Sequence, residues 1–280
     1  IIRGLVGSEM CIRDRITADR QTGVILHRGR AFEARDLAAL AAGSDPMAAI
    51  GAKVADYVAN QRQKDLLSCL AGVFGSLGST SSSAAFFPLT IDGESGDTPT
   101  VLSPRHVAEA KSLLGDQGEK LTAMCVHSKV YYDLVERRAI DFIYDNTGAG
   151  DTAADSGSTA NAFGQVAVPQ FMGLRVIVSD DVQTAGSGST TEYATYFFTQ
   201  GAVASGEQLA MQTETDRDIL AKSDAMSIDL HYCYHPVGSR WTASDVNPNR
   251  STLETVGNWS KVYETKNLGI VRVTNTSNMD

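Results

Sequence analysis

The stretch SDPMAAIGAKVADYVANQRQKDLLSCLAGVFG (44–75) decides the architecture. Asp45 stands where a helix cap is needed, and Pro46 takes the first helical position, where its missing N–H is no loss. Behind them Met47, Ile50, Val54, Tyr57 and Val58, then Leu66, Leu67, Leu70, Val73 and Phe74, recur at the helical period. The spacing predicts a helix running to about Gly75. About thirty residues at 1.5 Å each give ~45 Å, longer than a compact domain of this size is wide, so the molecule should be elongated. Between the two apolar blocks, Asn60 to Asp65 (NQRQKD) is polar nearly all round. Either this is a core helix with a solvated waist, or it lies across a subunit surface.

Upstream, Val24-Ile25-Leu26 reads as a strand leading into a basic, exposed segment with Arg28, Arg30 and Arg35. Asp36 to Ala42 is an Ala/Leu-rich helical turn stopped by Gly43. Downstream, residues 75–100 are rich in Gly, Ser and Thr and read as a surface loop or an edge excursion. Ser103-Pro104 repeats the cap-then-proline signal and starts a helix through Val107, Ala110 and Leu114. Leu121 to Val126 and Ala139 to Tyr144 read as strands flanking a helix from Ser128 to Arg138. Gln165 to Val168 and Leu174 to Val178 read as strands split by a turn from Pro169 to Gly173, and Glu192 to Thr199 as another strand.

Met226 to Tyr234 (MSIDLHYCY) alternates strictly, with Ile228, Leu230, Tyr232 and Tyr234 on one face and Asp229, His231 and Cys233 on the other. That is a half-buried antiparallel strand. Thr252 to Trp259 reads as a short helix, and Leu268 to Val273 as a terminal strand. The class is α+β without a regular βαβ repeat.

The 280 residues carry 24 Lys/Arg against 33 Asp/Glu, a formal charge of −9, which argues against a protein whose main task is gripping nucleic-acid phosphates. The balance is uneven: residues 1–75 are net +2 and residues 76–280 net −11. Apolar runs such as Val176-Ile177-Val178 fall far short of the ~20 residues a membrane helix needs. Cys11, Cys69, Cys125 and Cys233 show no paired spacing, so buried free thiols are expected, not a metal clip or redox pair. Ile1 to Arg15 fails as an export signal because charges break every apolar run. Within it, GLVGSEMCIRDR resembles a translated sequencing-adapter read-through, so residues 1–15 read as a non-native segment.

No constellation for enzyme chemistry stands out. Asp145-Asn146-Thr147-Gly148-Ala149-Gly150-Asp151 resembles the D-T-x-G-A-G-D signature of ribokinase-type sugar kinases, in which Asp151 would be the base. The helix that mechanism needs is replaced by the small-residue run Thr152 to Thr159, which reads as a loop. Gly186 to Thr191 lacks the lysine of a phosphate-binding loop. His231 and His235 are four apart on a predicted strand and read as a polar face, not a metal pair. Ser128 is placed to cap the helix after His127, and Cys125 with His127 lacks a third orienting group for a nucleophile. Glu214, Asp216 and Asp218 alternate and read as a solvated or interface face. No catalytic residue, metal or cofactor is expected.

Five segments carry a resemblance: HRGRAFEARDLAALAAGSDPMAAIGAKVADYVANQRQKDLLSCLAGVF (27–74), KLTAMCVHSKVYYDLVERRAIDFI (120–143), VPQFMGLRVIVSDDV (168–182), YCYHPVGSRWT (232–242) and NWSKVYETKNLGIVRV (258–273). Their order resembles that of the tailed-phage major capsid proteins, whose coat fold is shared with encapsulin shells. The resemblance implies a long spine helix, a peripheral domain with long antiparallel strands and a central axial α/β domain. It implies that residues 16–35 are a remnant of an extended loop, 36–103 the peripheral domain with the spine, and 104–205 the axial domain. Residues 206–280 would supply peripheral strands, from about 206–245, and a C-terminal segment returning to the core.

The implied function is a coat protein that assembles with itself into hexamers and pentamers of an icosahedral shell enclosing double-stranded DNA, with no membrane partner. Its expected place is the virion capsid, assembled in the host bacterial cytoplasm, with scaffold, portal and decoration proteins as further partners. The basic residues Arg28, Arg30 and Arg35 are the candidate subunit-interface residues, facing acidic patches of an adjacent copy. The same fold also admits an encapsulin-like nanocompartment shell, and the Asp145–Asp151 loop leaves a sugar kinase as the enzyme alternative.

Overall fold

The structure, a computed structural model, describes residues 20–75, 77, 90–92, 100–143, 168–187, 191–264 and 267–279. In chain order the elements begin β1 (Leu26–Arg35), α1 (Asp36–Ala42), α2 (Pro46–Phe74), β2 (Thr90–Asp92), α3 (Pro104–Leu114), β3 (Leu121–Val126) and α4 (Ser128–Glu136). They continue β4 (Asp141–Ile143), β5 (Val168–Phe171), β6 (Leu174–Val178), β7 (Thr184–Ala185), β8 (Glu192–Thr199), β9 (Val203–Asp218) and β10 (Ser223–Pro236). Last come β11 (Ser239–Trp241), α5 (Arg250–Leu253), β12 (Trp259–Lys261) and β13 (Ile270–Asn275).

The helix α2 forms for the reasons its sequence gives. The Asp45 carboxylate accepts from the Met47 N–H at 2.9 Å, Pro46 opens the first turn, and Gly75 ends the helix at φ +84° with its N–H on the Ala71 carbonyl. Its two halves bury different faces. In the first half only Val54 and Val58 are buried, and Tyr57 sets its ring edge-on to Phe32 of β1. From Leu67 to Phe74 every residue is buried. Phe74 meets Tyr196 of β8 at 5.7 Å between ring centroids, and Arg272 of β13 donates to the Gly75 carbonyl at 2.6 Å.

The polar waist is only partly solvated: Asn60 and Gln63 are exposed, while Asp65 is buried. It is where the helix passes from one sheet to the other, and the polar side chains from Gln61 to Asp65 each meet a partner there. Arg62 pairs with Glu207 of β9, Gln63 donates to Ser179 Oγ at 2.6 Å, Lys64 lies 3.5 Å from Asp181, and Asp65 is fully buried.

The first sheet has the order β1-β10-β9, both pairings antiparallel. Ile228, Leu230 and Tyr232 of β10 face α2 and are buried, while Asp229 and His231 face the other way, as the alternation requires. The second sheet is mixed, in the order β2-β13-β8-β3-β6-β5-β4, with β7 on β8. The β3–β6 and β13–β2 pairs are parallel and the others antiparallel. Covered on both faces, β8 buries Tyr193 to Phe197 without alternation, and all six residues of β13 are buried beside it. The C-terminal strand thus sits inside the sheet formed by the middle of the chain.

Three local readings need correction. The turn after β5 is only Met172-Gly173, both at positive φ, the tight hairpin form, so Pro169 to Phe171 belong to the strand. The segment 252–259 divides into the end of α5, a 3-10 turn (Val256–Asn258) and the start of β12, where Trp259 pairs edge-on with Trp241. The cap of α4 is His127, whose Nδ1 accepts from the Lys129 N–H at 3.2 Å; Ser128 is the first helical residue.

At the start of α3 the residue three beyond Ser103 is a histidine where a capping box usually has Glu or Gln, and the Ser103 N–H donates to His106 Nδ1 at 3.0 Å. Burial lowers the His106 pKa, so the folded protein holds the ring neutral while the unfolded chain takes up a proton near its ordinary value of about 6.5. The stability tied to this ring is complete above about pH 6.5 and is lost as pH falls through the lower folded value. The thermal midpoint is expected to fall on acidification below about pH 6.5. His106→Gln, which can accept the same N–H without titrating, should flatten that decline. Burial also lowers His235, so part of the slope will remain.

Candidate assembly surface

Along β1 the even-numbered residues turn toward α2 and the odd-numbered ones away, so the three arginines singled out by sequence do not form one cluster. Arg28 points inward. Its Nε donates to Asp65 Oδ2 at 2.9 Å, and its terminal nitrogens donate to Asn247 Oδ1 and the Pro248 carbonyl. Arg30 also lies on the inner side but stays exposed, donating to the Tyr57 hydroxyl at 3.2 Å with its guanidinium over the Phe32 and Tyr57 rings. Arg35, the last residue of β1, is exposed on the outer side opposite Ser223. Arg28 is therefore held within its own chain, and Arg30 and Arg35 are the two that face solvent.

Asp65, which sequence reasoning left inside a polar waist, is the organising group. One oxygen accepts from Arg28 and from the Tyr232 hydroxyl at 2.6 Å; the other accepts from Arg250 Nε at 2.7 Å. Arg250 also donates to Gln61. Burial, and then donation to Asp65, pushes the Tyr232 phenol well above its ordinary value. One carboxylate thereby joins β1, α2, β10 and α5. A helix-period count marks Asp65 only as a polar residue, because its partners lie 37, 167 and 185 positions away.

Beyond this hub the sheet is open. All sixteen residues of β9 are exposed or half-buried, and among the described residues its outer backbone edge has no partner strand. Such an edge is a template for another chain. Glu214, Asp216 and Asp218 lie exposed along it. The tip is built firmly: Asp218 Oδ1 accepts from the Leu220 and Ala221 N–H groups, and Arg217 bridges Asp36 and Asp224 at 2.7 and 2.8 Å. It presents Ile219 and Leu220, 80% and 97% exposed, beside the exposed Leu37 and Leu40 of α1.

The other residues weighed from sequence have local roles. Burial pushes the Cys125 thiol up to about 12, the opposite of an activated nucleophile, and His127 is occupied as a cap. Cys69 is likewise buried, Cys233 half-buried, and all three thiols are free. His235 Nε2 lies 3.2 Å from Gln21 Oε1. Among the described residues no three His, Cys, Asp or Glu side chains converge on one point. The kinase-like loop Asp145 to Asp151, residues 188–190 of the glycine-serine run, Cys11 and the segment 1–15 lie outside the described residues.

Among the described residues a long helix bridges two sheets, a sixteen-residue edge strand has no outer partner and an apolar tip stands exposed, an arrangement suited to a subunit that neighbours complete, as in a shell-forming coat protein. The Gp13-like family model, described as major capsid protein 13-like, matches residues 12–269. The chain belongs to this family of major capsid proteins. It is 32% identical over 267 residues to the major capsid protein of Bacillus phage SPP1, covering 93% of this chain and 75% of that one. Its fold is similar to that of the cyanophage Pam1 capsid (TM-score 0.59, 14% identity, 99% and 82% of the two chains). It is similar also to that of the Ralstonia phage GP4 capsid (TM-score 0.54, 10% identity, 91% and 74%). The chain is a structural component of a tailed-phage virion, as the ordered segments implied, and not an enzyme.

Proposed function

We propose that this coat protein forms the hexamers and pentamers of an icosahedral shell, with Arg30 and Arg35 contributing to the contact between adjacent copies. The observation that carries the reading is the asymmetry of the first sheet. Its inner face is covered by α2 along β1 and β10, while among the described residues the β9 edge has no partner strand and the tip stands exposed. In this reading residues 36–103, with α2 as the spine, form the peripheral domain together with the long strands β9 and β10, and β1 belongs to the remnant of the extended loop at 16–35. The mixed sheet of about 104–205, completed by the C-terminal strand, forms the axial domain around which copies gather. Heterologous contacts between such copies close into rings.

The shell encloses double-stranded DNA without reading its sequence, a role compatible with a chain of formal charge −9. Assembly takes place in the host bacterial cytoplasm, with scaffold, portal and decoration proteins as further partners. Arg28 is excluded from the interface test because it serves the Asp65 hub. Reversing both remaining charges, Arg30→Glu with Arg35→Glu, is expected to leave the monomer folded and to abolish particle formation. Unimpaired particles from the double variant would remove these two residues from the interface.

A further inference from the structure

We propose that His27 and His231 form a two-imidazole chelate for a divalent transition-metal ion of the Cu2+, Ni2+ or Zn2+ class, on the face of the first sheet turned away from α2. The register of β1 against β10 sets the two residues directly opposite each other. Their rings lie face to face, 4.1 Å between centroids and 11° from parallel.

What separates this pair from the other histidines is the state of the ring nitrogens. His106, His127 and His235 each spend a ring nitrogen on a hydrogen bond within the protein. The side-chain nitrogens of His27 and His231 have no partner among the described residues; the His27 bonds to Asn247 and Arg28 run through its backbone. Four lone-pair or N–H positions are thus free at one place on the surface.

Neutral imidazole suits copper, nickel and zinc, and copper binds such a site most strongly. Directly opposed residues of an antiparallel pair have Cβ atoms about 4.5–5.5 Å apart, close enough for two ring nitrogens to reach one ion at ~2.0–2.1 Å. The rings must first turn from face to face toward edge-on. His27 is exposed and followed on its face by Gly29 and Ala31, so its own strand places no large side chain in the way of that rotation. Asp229, one step along the same face, leans its carboxylate over Gly29 and adds negative charge nearby. With no third protein ligand converging there among the described residues, water completes the coordination. A bound ion clips β1, the strand that leads into α1 and α2, to the central strand of its sheet. Protons compete for the same lone pairs, so the ion should leave as the imidazoles protonate.

The test is titration of the full chain with Cu2+ at neutral pH, read by electron paramagnetic resonance and by thermal unfolding. The wild type is expected to take up one equivalent with two nitrogens in the copper spectrum, and to unfold at a higher temperature with copper than without. His27→Gln and His231→Gln, both on an open face, should each drop one nitrogen, bind at least tenfold more weakly and lose the thermal gain. His106→Gln should keep all three properties. A wild type that binds no copper, or pair variants that bind as the wild type does, would overturn the proposal.

Discussion

Asp65→Ala is expected to destabilise the fold by about 3 kcal/mol, the lower end of the range for breaking a buried ion pair. It deprives Arg28, Arg250 and the Tyr232 hydroxyl of a shared acceptor. The arginines retain 25% and 37% side-chain exposure, so water can recover part of the loss. The reverse experiment should be worse. Removing both arginines leaves a fully buried carboxylate with only the tyrosine, and the expected loss moves toward ~5 kcal/mol. Tyr232→Phe removes one neutral-to-charged hydrogen bond and should cost about 1.5–3 kcal/mol. Urea unfolding of the four proteins would read the order directly. Equal stability of Asp65→Ala and wild type would show that the hub does not hold the sheet to the helix.

The second large effect is expected at Gly72, where helix propensity and packing disagree. In an exposed helix interior, Gly→Ala gains about 1 kcal/mol. At Gly72 an added Cβ would collide with the Leu253 carbonyl and come within 2.6 Å of Trp259 Nε1. That carbonyl accepts the tryptophan N–H at 2.8 Å, so α5 must shift and a buried hydrogen bond is strained. Overpacking of this kind costs about 1–3 kcal/mol, and a buried donor left without a good acceptor costs about 1–3 more. The net expectation for Gly72→Ala is a loss of about 2–3 kcal/mol, packing outweighing propensity. Gly51, in the same helix with open space around it, is the internal control: Gly51→Ala should raise the thermal midpoint.

The sequence signals that were legible were those written locally. The Asp45-Pro46 start, the apolar blocks of α2, the Ser103-Pro104 start and the period of two in β10 each need only neighbouring residues, and each element lies where those residues place it. The long strand β9 carries no such signal. A strand exposed on both faces has no buried side to impose alternation, and VASGEQLAMQTETDRD reads as a polar segment. The pairing of His27 with His231 and the contacts of Asp65 with Tyr232 and Arg250 depend on register across more than a hundred residues, which no local spacing encodes. For the same reason the three arginines looked alike in sequence. Their separation into one internal pin and two solvent-facing groups follows from strand parity combined with the position of Asp65.

Electron microscopy of the purified protein at high concentration tests the central claim most directly. A coat subunit with these open surfaces is expected to give ring-shaped pentamers and hexamers or closed shells of uniform size. A homogeneous monomer at every concentration would contradict it.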